Sequence, residues 1–434
     1  MLSNTLVGVI GIVLLVALFF LRIPVAYVMA LVGFAGFAWV RGLDPGLSIL
    51  ARDIYGVFSS YGLTIIPLFI FMGHLAYHAG ISRRLYDTAY KFTGSTRGGL
   101  AMATICACTA FGAVCGSSPA TAATMATVGL PEMRRYGYHP ELATGSVASG
   151  GSMGMLMPPS VVLIVYGVLT EQSIGRLFMA GVVPAVFITA LFIAAIALMC
   201  RWRPELGPAG PRHSLLQKMQ SLFNLIETLA VFLLVMGGLF LGWFTPTEAG
   251  GVGAMGVLLA ALARRQISWD GFWRAVVDSL RTSCMVLFLV AGAVIFGHFL
   301  AVTGIPMAVA EAISGLDLPG WAVIFLMVLV YLLGGCFIDA LALIMLTIPI
   351  FYPIVLRLGY DPIWFGVIIV LVTQMGVITP PVGINAYVVK GVDTRTPLET
   401  IFKGCLPFLG ALLAGTVALV FVPELVLWLP RLMY

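Results

Sequence analysis

The chain has 434 residues, 61% of them hydrophobic and 9% charged, with a formal charge of +5. A soluble protein would carry about 25% charged residues, so a water-facing globule is excluded and membrane lipid is the main solvent. The small positive excess calls for no nucleic acid, because basic residues of membrane proteins gather in cytoplasmic loops.

A span needs roughly 20 apolar residues, and the first candidates are about 4–21 and 23–40. Leu6 to Leu21 has a signal-peptide length, but no cation precedes it and no small-x-small cleavage site follows. It reads as a retained span. A third span falls at about 57–78. Its His74 and His78, at i and i+4, read as packing or interface residues, since no third metal ligand is evident. Residues 81–95 mix Arg, Lys and apolar side chains and suit a helix lying in the membrane interface. The apolar region 98–132 is interrupted by Gly112-Ala-Val-Cys115-Gly116-Ser117-Ser118-Pro-Ala-Thr121, which predicts a re-entrant hairpin rather than a crossing. The next span, 140–169, is broken at Ser152-Met-Gly154-Met-Leu-Met157-Pro158-Pro159-Ser160. Unbroken spans follow at about 177–200, 219–241, 246–263 and 280–301. The third of these opens on Thr245-Pro246-Thr247-Glu248, a capping box with a structural role. A second hairpin is predicted over 320–357, with Gly334-Gly335-Cys-Phe-Ile-Asp339 at its tip. A second broken span, 361–389, carries Gln374-Met-Gly376-Val-Ile-Thr379-Pro380-Pro381-Val-Gly383-Ile-Asn385, and a last span lies at about 403–428. Seven cysteines are scattered without a C-x-x-C pair and read as small packing residues.

The two interrupted regions are copies of one another. At a fixed offset of 222 residues Gly112 meets Gly334, Pro131 meets Pro353, Gly154 meets Gly376, and Pro158-Pro159 meets Pro380-Pro381. Most matched residues are Gly or Pro, so the duplicated property is backbone shape. About ten spans with two hairpins put 18 of the 23 basic residues on one face, leaving Arg41, Arg52, Arg176, Arg357 and Arg431 on the other. The positive-inside rule then makes the basic face cytoplasmic and both termini external. An odd number of crossings separates the hairpins, so the copies are inverted. The fold class is an all-α integral membrane protein with inverted repeats, the geometry of alternating access around a site between the halves. The expected division is 1–56 as N-terminal scaffold, 57–200 as the first repeat, 201–279 as linking scaffold and 280–434 as the second repeat.

Non-helical backbone at membrane depth must be buried in protein or line a wet cavity. The tips and breaks are therefore the candidate sites. Ser117, Ser118 and Thr121 offer hydroxyls, and the helix leaving the tip points its N–H groups inward, favourable for a carboxylate. Asp339 lies at membrane depth, where a carboxylate is costly unless paired or bound to a cation; it can also cap the helix that follows. Adjacent prolines free carbonyls on the preceding turn, and mostly neutral oxygens suit Na⁺. One cation site is expected between hairpin one and the first break, and another between hairpin two and the second.

Together, FGAVCGSSPATAATM at 111–125, LMPPS at 156–160, FTPTEAG at 244–250 and GVITPPVGIN at 376–385 resemble the large, DctM-type membrane subunit of tripartite ATP-independent periplasmic (TRAP) transporters, over nearly the whole chain. That resemblance implies an elevator transporter of the bacterial inner membrane, in which sodium drives uptake of an organic acid such as a C4-dicarboxylate or sialic acid. It implies a soluble periplasmic substrate-binding protein and a small four-helix membrane subunit as partners. The chain starts directly with the first span, so that subunit is expected as a separate polypeptide. Carried onto the tips and breaks, the resemblance places one sodium ion among Cys115, Gly116, Ser117, Thr121, Ser152, Gly154 and Met157. It places a second among Gly335, Asp339, Gly376, Thr379, Gly383 and Asn385. Substrate contacts are expected at Ser117, Ser118, Ser160 and Asp339. Many relatives have Ser where this chain has Cys115. A stand-alone carboxylate symporter of the same superfamily is the alternative. An intramembrane serine protease finds only the faint motif Ala148-Ser149-Gly150, with no matching histidine, so no enzyme is expected.

Overall fold

In a computed structural model, the structure describes residues 3–433 apart from Phe20, Arg22, Arg212, Asn224 and 315–318. Among them all regular structure is helical. In chain order the α-helices are α1 (Asn4–Phe19), α2 (Val25–Arg41), α3 (Leu43–Ser59), α4 (Ile65–His78), α5 (Ile81–Thr93), α6 (Gly99–Cys115), α7 (Ser118–Arg135), α8 (Pro140–Ser152), α9 (Val161–Leu169), α10 (Ile174–Trp202) and α11 (Leu215–Phe223). They continue as α12 (Ile226–Phe240), α13 (Pro246–Ala263), α14 (Trp269–Thr303), α15 (Ile305–Ser314), α16 (Gly320–Gly335), α17 (Ala340–Arg357), α18 (Pro362–Gly376), α19 (Ile384–Val392), α20 (Leu398–Phe421) and α21 (Glu424–Met433).

Both hairpins and both broken helices form where the Gly/Pro punctuation places them. The α6–α7 turn is Gly116-Ser117, and α16–α17 turns over 336–339. The first break runs through a 3₁₀ turn, Met153–Met155, and non-helical residues 156–160; the second covers 377–383. The peptide bonds Pro158–Pro159 and Pro380–Pro381 are both cis. The capping box also forms: the Thr245 N–H donates to Glu248 Oε2 at 2.8 Å, and the Glu248 N–H donates to Thr245 Oγ1 at 3.3 Å. Helix α5 fills the predicted interfacial segment.

The structure adds three helices and bends a fourth. Asp44, Arg52 and Asp53 interrupt the apolar run after α2, yet α3 forms there with Asp53 buried and His298 of α14 3.6 Å from its carboxylate. Helices α15 and α21 were not anticipated, and α21 begins just after Pro423, where the predicted final span was continuous. The span expected at 219–241 is instead α11 and α12 meeting at 52°. Gln217, Lys218 and Gln220 give α11 a polar face that suits the interface. Six described helices are long and apolar enough to cross a membrane unaided, among them Ala340–Arg357, the second arm of hairpin two. At 1.5 Å per residue its 18 residues reach about 27 Å, so length alone does not separate an arm from a span.

The helices gather into two bodies. One joins α2 to α14, α4 to α13, and α12 to α13. The other joins α7 to α8, α8 to α20, α6 to α8, and α16 to α18. The halves of the broken helices are exchanged between repeats. Helix α9, from the first break, packs on α17 and α18, whereas α19, from the second, packs on α7 and α8. Hydrogen bonds fix both exchanges. The Tyr166 hydroxyl of α9 donates to the Pro362 carbonyl at 2.6 Å, and Gln172 Nε2 donates to the Tyr352 hydroxyl at 2.9 Å. From α19, Asn385 Nδ2 donates to the Ala148 carbonyl at 2.9 Å, and Asn385 Oδ1 accepts from the Ser118 hydroxyl at 2.9 Å. Arg134 at the end of α7 pairs with Asp393 just beyond α19.

Candidate functional site

Each hairpin tip leans on the break of its own repeat at a glycine crossing. Gly116 has φ +64°, and a Cβ there would stand 2.6 Å from the Pro159 carbonyl oxygen. Only glycine takes this left-handed turn against another backbone without strain. In the second repeat a Cβ on Gly376 would fall inside contact distance of the Gly335 backbone. The tips also accept backbone hydrogen bonds from beyond the proline pairs: Val161 N–H to Gly116 carbonyl at 3.5 Å, and Val382 N–H to Cys336 carbonyl at 3.2 Å.

Both tips open into one cavity of about 480 Å³. Hairpin one contributes Cys115, Gly116, Ser117, Ser118 and the first turn of α7. Hairpin two contributes Asp339, Ala340 and Leu341. Asp339 caps α17 by accepting from the Leu341 N–H at 3.0 Å, and it faces the cavity as well. The opposite wall comes from the other body: Ile70, Gly73, His74 and Tyr77 of α4, and Asp278, Thr282, Met285 and Val286 of α14. The N-termini of α7 and α17 thus converge on the same space, a favourable environment for an anion.

The remaining predicted residues are placed as follows. Thr121 is buried and donates to the Ser117 carbonyl at 2.7 Å; a Cβ on Gly154 would touch both. Ser152 is buried and donates to the Ser149 carbonyl at 2.7 Å. These residues therefore lie together at the crossing of tip one and break one. The Met157 side chain lies apart from them, in a separate apolar cavity with Leu85, Val114 and Phe232. Ser160 does not line the shared cavity: its hydroxyl donates to the Met155 carbonyl and accepts from the Leu163 N–H at 3.3 Å, so both its hydrogen bonds are local. Thr379 likewise donates to the Met375 carbonyl at 2.6 Å. Gly335, Gly376 and Gly383 stay at break two, with Gly383 the residue before α19 at φ +53°. Asn385 stays at the break by its backbone, its N–H donating to the Val377 carbonyl at 3.0 Å, while its side chain reaches across to Ser118 and Ala148.

Sequence reasoning missed the α4 and α14 wall. The span predicted at about 280–301 leaves Asp278 outside it, whereas α14 starts at Trp269 and holds Asp278 and Thr282 on one face. Asp278 and Thr282 at i and i+4 were the available signal. Gln374 was also passed over. It is fully buried, and neither side-chain amide atom has a hydrogen-bond partner among the described residues. It occupies the place of Ser152 in the repeat.

A chain whose described residues are all-helical, with duplicated hairpins and broken helices around a shared cavity, defines a multi-pass membrane transporter. A solved structure agrees at the level of fold: the Alcanivorax borkumensis YdaH transporter matches with a TM-score of 0.61 at 15% identity, over 88% of this chain and 89% of that one. The family model described as "Tripartite ATP-independent periplasmic transporter, DctM component" matches residues 12–425, and the chain belongs to that family. The C4-dicarboxylate TRAP transporter large permease protein DctM of Pseudomonas aeruginosa is 36% identical over 88% of this chain and 89% of its own length. The sialic acid TRAP transporter large permease protein SiaM of Vibrio cholerae is 30% identical over 96% of each.

Proposed function

We propose that this chain is the large membrane subunit of a sodium-coupled importer of an organic acid, fed by a soluble periplasmic binding protein and completed by a small membrane subunit. The convergence of both tips, with two helix N-termini and Asp339, on one cavity carries this reading. A carboxylate-bearing cargo sits there against N–H groups, and sodium ions beside it offset the charge. The body holding both hairpins carries the cargo past the α4/α14 wall in an elevator motion. His74, His78 and Asp278 lie near the helix ends that the charge distribution assigns to the cytoplasm, so the cavity belongs to the inward-facing state.

The test is uptake in proteoliposomes containing this chain, its small partner and the cognate binding protein. Uptake should require an inward sodium gradient and stop when the binding protein is left out. Full rates in sodium-free medium under a proton gradient alone would remove the coupling claim. Full rates without either partner would favour the stand-alone symporter.

A further inference from the structure

The cavity wall supplied by α4 and α14 has a chemistry of its own. Its lining holds two carboxylates, Asp278 and Asp339, and no Lys or Arg. An anionic cargo entering it meets two like charges. His74 is the one side chain in that lining able to carry a positive charge.

The helices α4 and α14 meet there in two rungs. His78 Nε2 lies 3.4 Å from Asp278 Oδ2, and one turn along, His74 Nε2 lies 3.5 Å from Thr282 Oγ1. Thr282 donates its own hydroxyl proton to the Asp278 carbonyl at 2.9 Å. Its oxygen is then left to accept, which places the His74 proton on Nε2 and leaves Nδ1 to take up a second one. Because His78 engages Asp278, His74 is the rung not already matched with a carboxylate. Thr282 contacts His74 directly, and Asp278, Tyr77, Cys115 and Asp339 line the same cavity, with His78 behind them paired to Asp278.

We propose that His74 binds a carboxylate oxygen of the cargo from the α4/α14 wall, and is a specificity-determining residue that the hairpin tips do not supply. Thr282 orients the ring, and the His78–Asp278 rung keeps Asp278 from competing for it. The inference rests on the reading of the cavity as an organic-anion site. Under an elevator motion the tips travel with the cargo while His74 stays, so His74 contributes to binding in this state alone.

The test uses the reconstituted complex with three radiolabelled probes, pyruvate, succinate and a sialic acid, and takes forward whichever wild type accumulates best. Half-saturation is measured in uptake, and separately in equilibrium binding to the membrane complex without the binding protein, at constant sodium and without a gradient. His74→Gln should weaken half-saturation about tenfold in both assays, with a maximal rate within twofold of wild type. His74→Arg, which keeps a fixed cation, should recover most of the loss. A merely structural histidine would lower the maximal rate and would not be rescued by Arg. His74→Gln with wild-type half-saturation in both assays overturns the proposal, as does wild type that binds none of the three anions. Wild-type uptake indifferent to sodium would count against the coupling claim alone, since the binding comparison stands without it.

Discussion

Asp339 combines two positions in one carboxylate: it caps α17 and lines the cavity shared by both hairpin tips. Asparagine preserves the cap, because its side-chain oxygen accepts the same N–H, and removes the charge. Asp339→Asn should therefore insert and purify like wild type while sodium-driven uptake falls at least tenfold. Wild-type rates would take Asp339 out of the site. Asp393 serves assembly instead. Burial opposes its ionisation, but hydrogen bonds from Thr396, Arg134 and the Arg395 backbone N–H outweigh that and hold its carboxyl below the usual range. A carboxylate with a depressed folded pKa stabilises the fold above its unfolded value of about 3.9, and that contribution is lost as pH falls through the lower folded value. Between pH 6 and 9 the Arg134–Asp393 pair should contribute constantly. Asp393→Asn should cost about 1–3 kcal/mol, seen as a lower thermal midpoint at pH 7 that converges on wild type in strong acid. The capping role of Asp339 was legible in the sequence, because an Asp just before a helical run supplies an acceptor for its first N–H groups. Asn385 was legible only as polar and near a break. Its partners lie in the other repeat, and no local pattern encodes them.

At the level of elements, duplicated Gly and Pro residues made both hairpins and both broken helices readable, since they specify backbone shape without reference to packing. The helices that escaped notice, α3, α15 and α21, are short or amphipathic, and their formation depends on neighbours such as α14 and α17. The glycine crossings give a graded test. Gly376→Ala forces a methyl group into the Gly335 backbone, whereas a Cβ on Gly237 meets nothing within 4 Å. Overpacking of this kind costs about 1–3 kcal/mol. Gly376→Ala should lower thermal stability and uptake together, and Gly237→Ala should change neither. Equal effects at both positions would argue against a tight crossing.

Across the whole molecule, the interface between the two bodies is where the proposed elevator would slide. Gly73 of α4 stands at that interface, and a Cβ added there would be 3.0 Å from the Cys115 Cα at the tip of hairpin one. Small adjustment brings a cysteine at 73 within disulfide reach of Cys115. A Cβ at 73 also falls 2.9 Å from the Cys115 carbonyl oxygen, so reduced Gly73→Cys should transport below wild type from overpacking, stop when oxidised, and return to its own reduced rate when a reductant is added. Undiminished uptake after confirmed bridging would exclude movement of that tip against α4.

The exchanged half-helices also constrain biogenesis. Ser118 and its partner Asn385 are 267 positions apart. At about 5–20 residues per second of synthesis, the ribosome needs roughly 15–50 s to deliver the asparagine after the serine. During that interval the first hairpin waits in the bilayer with a hydroxyl unmatched and one flank uncovered. A nascent chain halted before residue 384 should expose that flank to protease or to a membrane chaperone, and completion of α19 should close it.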